Sequence, residues 1–137
     1  MIALLDTDVL IDVALDRKPF SEFSSVVLDG AEHHFYRAFI AWHSLANFYY
    51  IVTPTSSNRR TRDFVMGLLK FVEVAPTTTK DALYAGTLNF TDFEDALQVA
   101  AARACNAEII VTRNVKHYKR SHIPAHTPEY FSKNFCF

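Results

Sequence analysis

The sequence predicts an α/β fold, a three-layer α/β/α sandwich around a mainly parallel sheet. Short runs in which every residue is apolar, such as 2–5 and 109–111, are typical of strands that are covered on both faces. Longer segments with apolar residues three and four positions apart separate these runs, as amphipathic helices do. Because parallel strands are joined by helical crossovers, this alternation favours a parallel sheet with helices on both faces.

The individual patterns place each element in turn, with helical spacing predicting helices and branched or aromatic content predicting strands. The first half of the chain contains a strand over 2–5, helices over 8–16 and 21–32, a strand over 35–40, and helices over 42–52 and 58–69. The second half contains a strand over 71–74, helices over 77–87 and 92–104, a strand over 109–111, and a last short helix from Thr127. Pro128 suits the first turn of that helix.

Composition predicts a single domain over residues 1–137. The chain is 50% hydrophobic and has only three glycines and five prolines, so it offers one core and no linker. No stretch approaches the roughly 18 apolar residues of a membrane span, and the N-terminal run is too short for a signal peptide. We therefore expect a cytoplasmic protein without membrane contact. Cys105 and Cys136 form no CxxC pair, which predicts reduced thiols, with Cys105 in the core.

Carboxylates gather at two predicted helix starts. Asp6 follows the first strand directly, at the edge of the sheet where α/β proteins collect ligands, and Asp8 comes two residues later. Asp92, Glu94 and Asp95 open the helix over 92–104. Helix capping is an alternative explanation for each of these acids, since acidic residues favour helix N-termini.

Glu94 can likewise be explained as part of a helix cap, because Thr91 and Glu94 have the spacing of a capping box. Asp95 is not needed for a cap. Two carboxylates that a fold brings together cost stability unless a cation neutralises them. Oxygen ligands without a cysteine pair or a His-x-x-x-His spacing favour Mg²⁺ or Mn²⁺ over zinc. Such ions serve phosphoryl chemistry.

The net charge of −1 excludes a chain that binds nucleic acid by its overall charge, so such a role needs a local patch. One patch follows the strand over 109–111 and includes Arg113, Lys116, Lys119 and Arg120. Another lies at 59–62, which we interpret as a solvated helix face. The histidines His33, His34 and His43 show no metal-ligand spacing, so we interpret them as packing or surface residues.

Three segments, in this order along the chain, match motifs of one family. They are Leu4-Leu5-Asp6-Thr7-Asp8-Val9-Leu10, Phe93-Glu94-Asp95-Ala96-Leu97-Gln98 and Val111-Thr112-Arg113-Asn114-Val115-Lys116-His117-Tyr118. On these segments the chain resembles the PIN domain, the small metal-dependent nuclease fold of many prokaryotic toxins of the VapC type. Asp6 and Asp95 match the family's first acid and its later helical acid.

Three positions depart from the usual PIN pattern. Asn47 stands where most members carry glutamate, Asn114 stands where many carry aspartate, and Asp8 stands where asparagine is usual. Two amides leave fewer negative charges to hold a metal. Asp92, Glu94 and Asp8 are the candidates to compensate.

The resemblance implies hydrolysis of RNA phosphodiesters, with Mg²⁺ or Mn²⁺ held by Asp6 and Asp95 and with Asp92 and Glu94 as further ligands. Asn47 would position substrate or metal-bound water, as would Asn114. The cations expected to grip backbone phosphates are Arg113, Lys116, Lys119 and Arg120, although a solvated loop is the alternative explanation for them. The expected partners are RNA, an antitoxin protein and a second copy of the chain.

Two other functions remain open on the sequence. The first is a PIN fold that has lost its catalytic metal and acts as a binding module, which Asn47 and Asn114 favour. The second is a haloacid-dehalogenase-like phosphatase, since Asp6-Thr7-Asp8 resembles its Asp-x-Asp motif. That family needs a later Gly-Asp-x-x-x-Asp motif, which the chain lacks.

Overall fold

The computed structural model describes residues 1–136, and these form a five-stranded sheet with seven helices around it. The strands are β1 (Ile2–Leu5), β2 (Arg37–Ile40), β3 (Val72–Val74), β4 (Ile109–Val111) and β5 (Ala125–His126). The helices are α1 (Thr7–Ala14), α2 (Phe20–Glu32), α3 (Trp42–Val52), α4 (Asn58–Leu68), α5 (Thr79–Thr87), α6 (Phe93–Ala104) and α7 (Pro128–Phe135). A 3₁₀ turn over Val115–Tyr118 joins β4 to β5.

The strands are all parallel and lie in the order β3-β2-β1-β4-β5. At the centre, Leu4 of β1 pairs with Phe39 of β2 on one side and with Ile110 of β4 on the other. The chain builds the sheet outward from β1 to β3 and then returns to place β4 on the opposite side of β1. The carboxyl ends of β1 and β4 therefore form the switch point at which open α/β sheets bind ligands.

Alternate residues of β1 point into two separate cores. Ala3 and Leu5 belong to a cluster that includes residues of α1, α2, α3, α4 and α7. Leu4 belongs to a second cluster, built largely from α6 and the segment that follows β4. Because successive side chains of a strand face opposite sides of the sheet, these clusters define helical layers above and below it. The predicted three-layer α/β fold is confirmed.

Two elements escaped the sequence analysis, the 3₁₀ turn and β5. Strand β5 has only two residues, and its pairing partners are Ile110 and Val111 in β4. A strand this short carries no periodic pattern, so only its long-range pairing defines it. Every predicted helix and every predicted strand is present, with ends that differ from the prediction by no more than two residues.

Side-chain positions decide two further local predictions. Cys105 is buried in the core, as expected. The capping box predicted for Thr91 and Glu94 is wrong, because Asp92 is the N-cap of α6 and its carboxylate accepts the Glu94 backbone N–H at 2.9 Å. The Asp92 carboxylate reaches the backbone N–H two residues further on, so Asp92 and not Thr91 is the cap residue. Over residues 1–136, every helix falls short of the length and hydropathy of a membrane span.

Candidate functional site

A cleft of about 270 Å³ opens at the carboxyl ends of β1 and β4. Seven residues that the sequence analysis selected line it, namely Asp6, Asp8, Asn47, Asp92, Glu94, Asp95 and Asn114. His117 lines it as well. The fold thus collects side chains from α1, α3, α6 and the loop after β4 at one point, which is the switch point of the sheet.

Asp6 lies at the bottom of this site, 7% exposed, and its carboxylate accepts four hydrogen bonds. The Thr7 backbone N–H (2.7 Å) and Gln98 Nε2 (3.2 Å) donate to Oδ1. The hydroxyls of Thr112 (2.8 Å) and Tyr118 (3.2 Å) donate to Oδ2. Burial raises the pKa of Asp6, and the hydrogen bond from Thr112 offsets this only in part. Asp6 is therefore both the N-cap of α1 and a buried acid of the site.

Asp95 approaches Asp6 from α6, and the Tyr118 hydroxyl lies between the two acids. The hydroxyl oxygen is 3.2 Å from Asp6 Oδ2 and 3.4 Å from Asp95 Oδ1. The second carboxylate oxygen of Asp95 lies 3.6 Å from His117 Nδ1. Burial, together with the charges of the neighbouring acids on α6, raises the pKa of Asp95 to about 6. The two acids that are remote in the sequence thus meet across a single hydroxyl group.

Asp8 contributes a third carboxylate, which is half-buried. Its Oδ2 accepts the Arg113 backbone N–H at 3.1 Å and Asn114 Nδ2 at 3.2 Å. Its Oδ1 is buried and has no hydrogen-bond donor within the described residues. Burial and the charge of Asp6 raise the pKa of Asp8 to about 7. The acid that replaces the usual asparagine therefore adds charge to the site and fixes the loop after β4.

Glu94 spans the cleft from α6 to α3. Its Oε2 lies 2.6 Å from His43 Nε2 and accepts Gln98 Nε2 at 3.1 Å. Burial alone would raise the pKa of Glu94, but the hydrogen bond and charge of His43 outweigh it and lower that pKa. The interpretation of His43 as a packing or surface residue missed this contact.

A polar network beneath the acids also escaped the sequence analysis. Gln98 is fully buried and its Nε2 lies 3.1 Å from Ser44 Oγ, which in turn accepts the Thr7 hydroxyl at 2.8 Å. The signal for Gln98 was its position one helical turn after Glu94, on the face that looks into the site. Thr112 lies inside a motif segment. No local pattern marks Ser44, because its partners are far away in the sequence.

Three of the four predicted phosphate-binding cations lie beside the site. They line a hollow of about 410 Å³, and the same hollow includes Asp92 and Asp95. These cations are Lys116, Lys119 and Arg120. Arg113 is engaged elsewhere, since its Nη2 donates to Asp12 at 3.2 Å and its guanidinium covers the Phe20 ring at 4.1 Å. The structure therefore gives Arg113 an ion-pair partner that its sequence position did not indicate.

The family model of the PIN domain matches residues 3–116 of the chain. The chain belongs to the PIN domain family. This membership confirms the predicted resemblance, and since the family is one of nucleases it supports a nuclease. The phosphatase alternative finds no support in the comparisons.

Solved structures share the fold of this PIN domain. One is VapBC2 from Rickettsia felis bound to a DNA fragment from their promoter, with a TM-score of 0.70, 21% identity, and coverage of 93% of this chain and 98% of that chain. Another is VapBC-1 from nontypeable Haemophilus influenzae, with a TM-score of 0.68, 16% identity, and coverage of 93% and 98%. FitAB bound to an IR36 DNA fragment has a TM-score of 0.66, 18% identity, and coverage of 94% and 96%. No curated protein matches the sequence.

PIN nucleases generally use divalent metals, and the chemistry of this donor set suits one. Across residues 1–136, no three His, Cys, Asp or Glu side chains are already grouped as a complete ligand set. Mg²⁺ does not need such a cage, because it keeps several waters and is commonly held by one or two carboxylates. Asp6, Asp8 and Asp95 line the same cleft, and each carboxyl group has a raised pKa. Asp8 Oδ1 and Gln98 Oε1 are buried acceptors that find no donor among residues 1–136.

Proposed function

We propose that this PIN domain protein is a divalent-metal-dependent ribonuclease that hydrolyses RNA phosphodiesters, as a VapC-like toxin. The observation that carries the proposal is the meeting of Asp6 and Asp95 around one hydroxyl at the switch point of the sheet. Carboxylates whose pKa values are raised by burial and by neighbouring acids are unfavourable in their ionised forms unless a cation is present. A bound cation relieves that repulsion, which explains why a fold would retain the arrangement.

Asp6 and Asp95 would hold the ion, and Asp8 would supply the charge that Asn47 no longer provides. Asp92 and Glu94 are the further candidate ligands at the entrance of α6. When bound, Mg²⁺ or Mn²⁺ binds the scissile phosphate and lowers the pKa of a bound water.

Other side chains have roles that follow from their own chemistry. One carboxylate of the cleft would orient the attacking water by accepting its hydrogen bond, and Asp95, which lies beside His117, is the candidate. The amides of Asn47 and Asn114 line the cleft and can donate to phosphate oxygens. Because Asn114 Nδ2 also donates to Asp8 at 3.2 Å, that amide is held in place before substrate arrives.

Lys116, Lys119 and Arg120 would hold the RNA backbone. They lie in the hollow that adjoins the acidic cleft, so a strand that places one phosphate between Asp6 and Asp95 extends its next phosphates toward them. Contacts of this kind to phosphates position the substrate without reading its sequence. Under this proposal the cations of the basic hollow bind the RNA backbone, and the carboxylates of the acidic cleft support hydrolysis of the phosphodiester.

The test is cleavage of RNA oligonucleotides in Mg²⁺ or Mn²⁺ by the wild type, Asp6→Asn and Asp95→Asn. We expect both variants to lose activity by at least about 100-fold, since each removes a charge that stabilises the transition state. Asp63→Asn is the matched control, because Asp63 is an exposed aspartate on α4 that pairs only with Arg59. Equal cleavage by all four proteins would show that a contaminant is responsible.

A catalytically weakened PIN domain that binds RNA is the second candidate, and the hydrogen bonding of Asp6 favours it. Both oxygens of Asp6 already accept two protein donors each. Under this alternative the hydrogen bonds, rather than a metal, satisfy the acid. Titration calorimetry with MnCl₂ separates the two functions, because a binding module would bind RNA and take up no Mn²⁺.

We also propose protein partners, an antitoxin and a second copy of the chain. The names of the similar structures, VapBC and FitAB, motivate the first. Exposed apolar side chains motivate the second, because Trp42 on α3, Leu83 on α5 and Phe93 on α6 are all exposed. Trp42 and Leu97 line one groove, and Phe93 lies one turn before Leu97 on α6. Sedimentation of the wild type against Trp42→Ser would test dimerisation, with a shift to monomer as the expected result.

A further inference from the structure

The proposed function uses Asp6 and Asp95 but gives no role to the hydroxyl between them. Tyr118 is 3% exposed, and its oxygen lies 3.2 Å from Asp6 Oδ2 and 3.4 Å from Asp95 Oδ1. A phenol has one proton, so it donates to one of these oxygens at a time. Burial beside the two acids raises the pKa of Tyr118, so the hydroxyl keeps its proton at neutral pH.

The ring of Tyr118 is fixed by its surroundings. It belongs to the core cluster on the α6 side of the sheet, where Ile123 and Val99 are also buried. Phe90 approaches it with ring centroids 6.4 Å apart. The 3₁₀ turn that carries Tyr118 is short and begins three residues after the end of β4, since residues 112–114 lie between them. The hydroxyl is therefore delivered to the gap between the acids by a packed side chain, not by a mobile one.

We propose that the Tyr118 hydroxyl is a placeholder that competes with the divalent ion for Asp6 and Asp95. This inference rests on the proposed metal-dependent function. The hydroxyl faces one oxygen of each acid, Asp6 Oδ2 and Asp95 Oδ1, and an ion that binds these two oxygens would compete with it. Without the ion, the hydrogen bond from Tyr118 stabilises the charge on the acid that accepts it and so lessens the repulsion between Asp6 and Asp95. The same hydrogen bond lowers the affinity of the site for the ion, because it must be given up when the ion binds.

The test is the affinity for Mn²⁺ alone, measured by titration calorimetry on Tyr118→Phe, which removes the hydroxyl and keeps the ring. We expect Mn²⁺ to bind about 2- to 10-fold more tightly than in the wild type, the range that the net energy of one hydrogen bond implies. Tyr36→Phe is the matched control. Tyr36 is also buried, and its hydroxyl donates at 2.7 Å to the Val27 carbonyl, far from the acids.

Thermal unfolding gives a second measurement on the same proteins. Without metal, Tyr118→Phe should unfold at a lower temperature than the wild type. Saturating Mn²⁺ should then raise its midpoint by more than it raises that of the wild type or of Tyr36→Phe. Circular dichroism confirms that each variant is folded before titration.

The outcomes separate this inference from the proposed function. Equal or weaker Mn²⁺ affinity in Tyr118→Phe overturns the placeholder role, and so does the absence of Mn²⁺ binding in every variant. If the wild type cleaves RNA and Tyr118→Phe gains no affinity, only the inference fails. If Tyr118→Phe gains Mn²⁺ affinity and no variant cleaves RNA, the placeholder role stands and the nuclease proposal fails.

Discussion

Replacing Asp8 by asparagine should stabilise the protein in the absence of metal at alkaline pH. Asp8 stands where PIN domains usually carry asparagine, so the change restores the usual residue. Burial and the neighbouring Asp6 raise the pKa of Asp8 from 3.8 to about 7, which means that the fold penalises its ionised form. The asparagine oxygen can still accept the Arg113 N–H that Asp8 now accepts at 3.1 Å. The substitution therefore removes the charge and retains the contact.

The sign and size follow from linkage. Between about pH 4 and pH 7 the folded protein binds the Asp8 proton more tightly than the unfolded chain does, so stability falls as pH rises through this window. A shift of about three units corresponds to a ceiling of about 4 kcal/mol at 1.36 kcal/mol per unit. Solvent screening and the share owed to Asp6 reduce this, so we expect Asp8→Asn to gain about 1–3 kcal/mol at pH 8.

Urea and thermal unfolding in EDTA would measure this gain at pH 8 and pH 5. Each kcal/mol corresponds to a rise in midpoint of about 3–5 °C for a chain of this length. At pH 5 only about 1.2 of the roughly three pH units between the unfolded and folded pKa values of Asp8 have been passed, so the gain of Asp8→Asn should fall to less than half of its value at pH 8. Mn²⁺ should stabilise the wild type more than the variant, because the variant has one carboxylate fewer. Destabilisation of Asp8→Asn at pH 8, or an equal gain at both pH values, would refute the reasoning.

Three further predictions concern the surroundings of the site. Arg113→Met should lower the free energy of unfolding by about 3–5 kcal/mol in urea titrations, because it leaves the fully buried Asp12 without its main cation. An effect below 1 kcal/mol would rule out a structural ion pair. Lys119→Ala should weaken RNA binding and lower the slope of log affinity against log salt by about 0.7 in fluorescence anisotropy, with an unchanged slope as the contrary result. Gly30→Ala should lower the free energy of unfolding by about 1–3 kcal/mol in thermal melts, because the new Cβ would lie 2.7 Å from Cys136 Sγ. The control Gly67→Ala, with nothing within 4 Å, should be stabilising; equal effects would contradict the packing argument.

The sequence was sufficient to predict the fold and the convergence of Asp6 with Asp95. Both depend on local patterns, since an apolar run ends at Asp6 and an acid opens the helix that returns to the next strand. The hydrogen-bond partners that set the chemistry were not predictable in this way. His43 meets Glu94 across 51 positions, and Tyr118 meets Asp6 across 112. Such pairs are fixed by the packing of helices on the sheet, which no single segment of sequence encodes.

Asp8 and Glu94 show a second limit. A carboxylate at a helix start is explained equally well by a cap and by a ligand when only the sequence is considered. The structure distinguishes them by what the carboxylate faces. Asp92 is occupied by a backbone N–H, whereas Glu94 faces His43 and Gln98, and Asp8 reaches the loop beyond β4.

The ion pair between Asp12 of α1 and Arg113 ties the loop after β4 to that helix. The side chains of Lys116, Lys119 and Arg120, which come after Arg113 in the chain, line the hollow. It is Arg113 that pairs with Asp12. Under the proposed function, exchanging these three side chains would change the affinity for RNA while the pair between Asp12 and Arg113 stays in place. Exchanging Arg113 as well would remove the ion pair that holds the loop after β4 against α1.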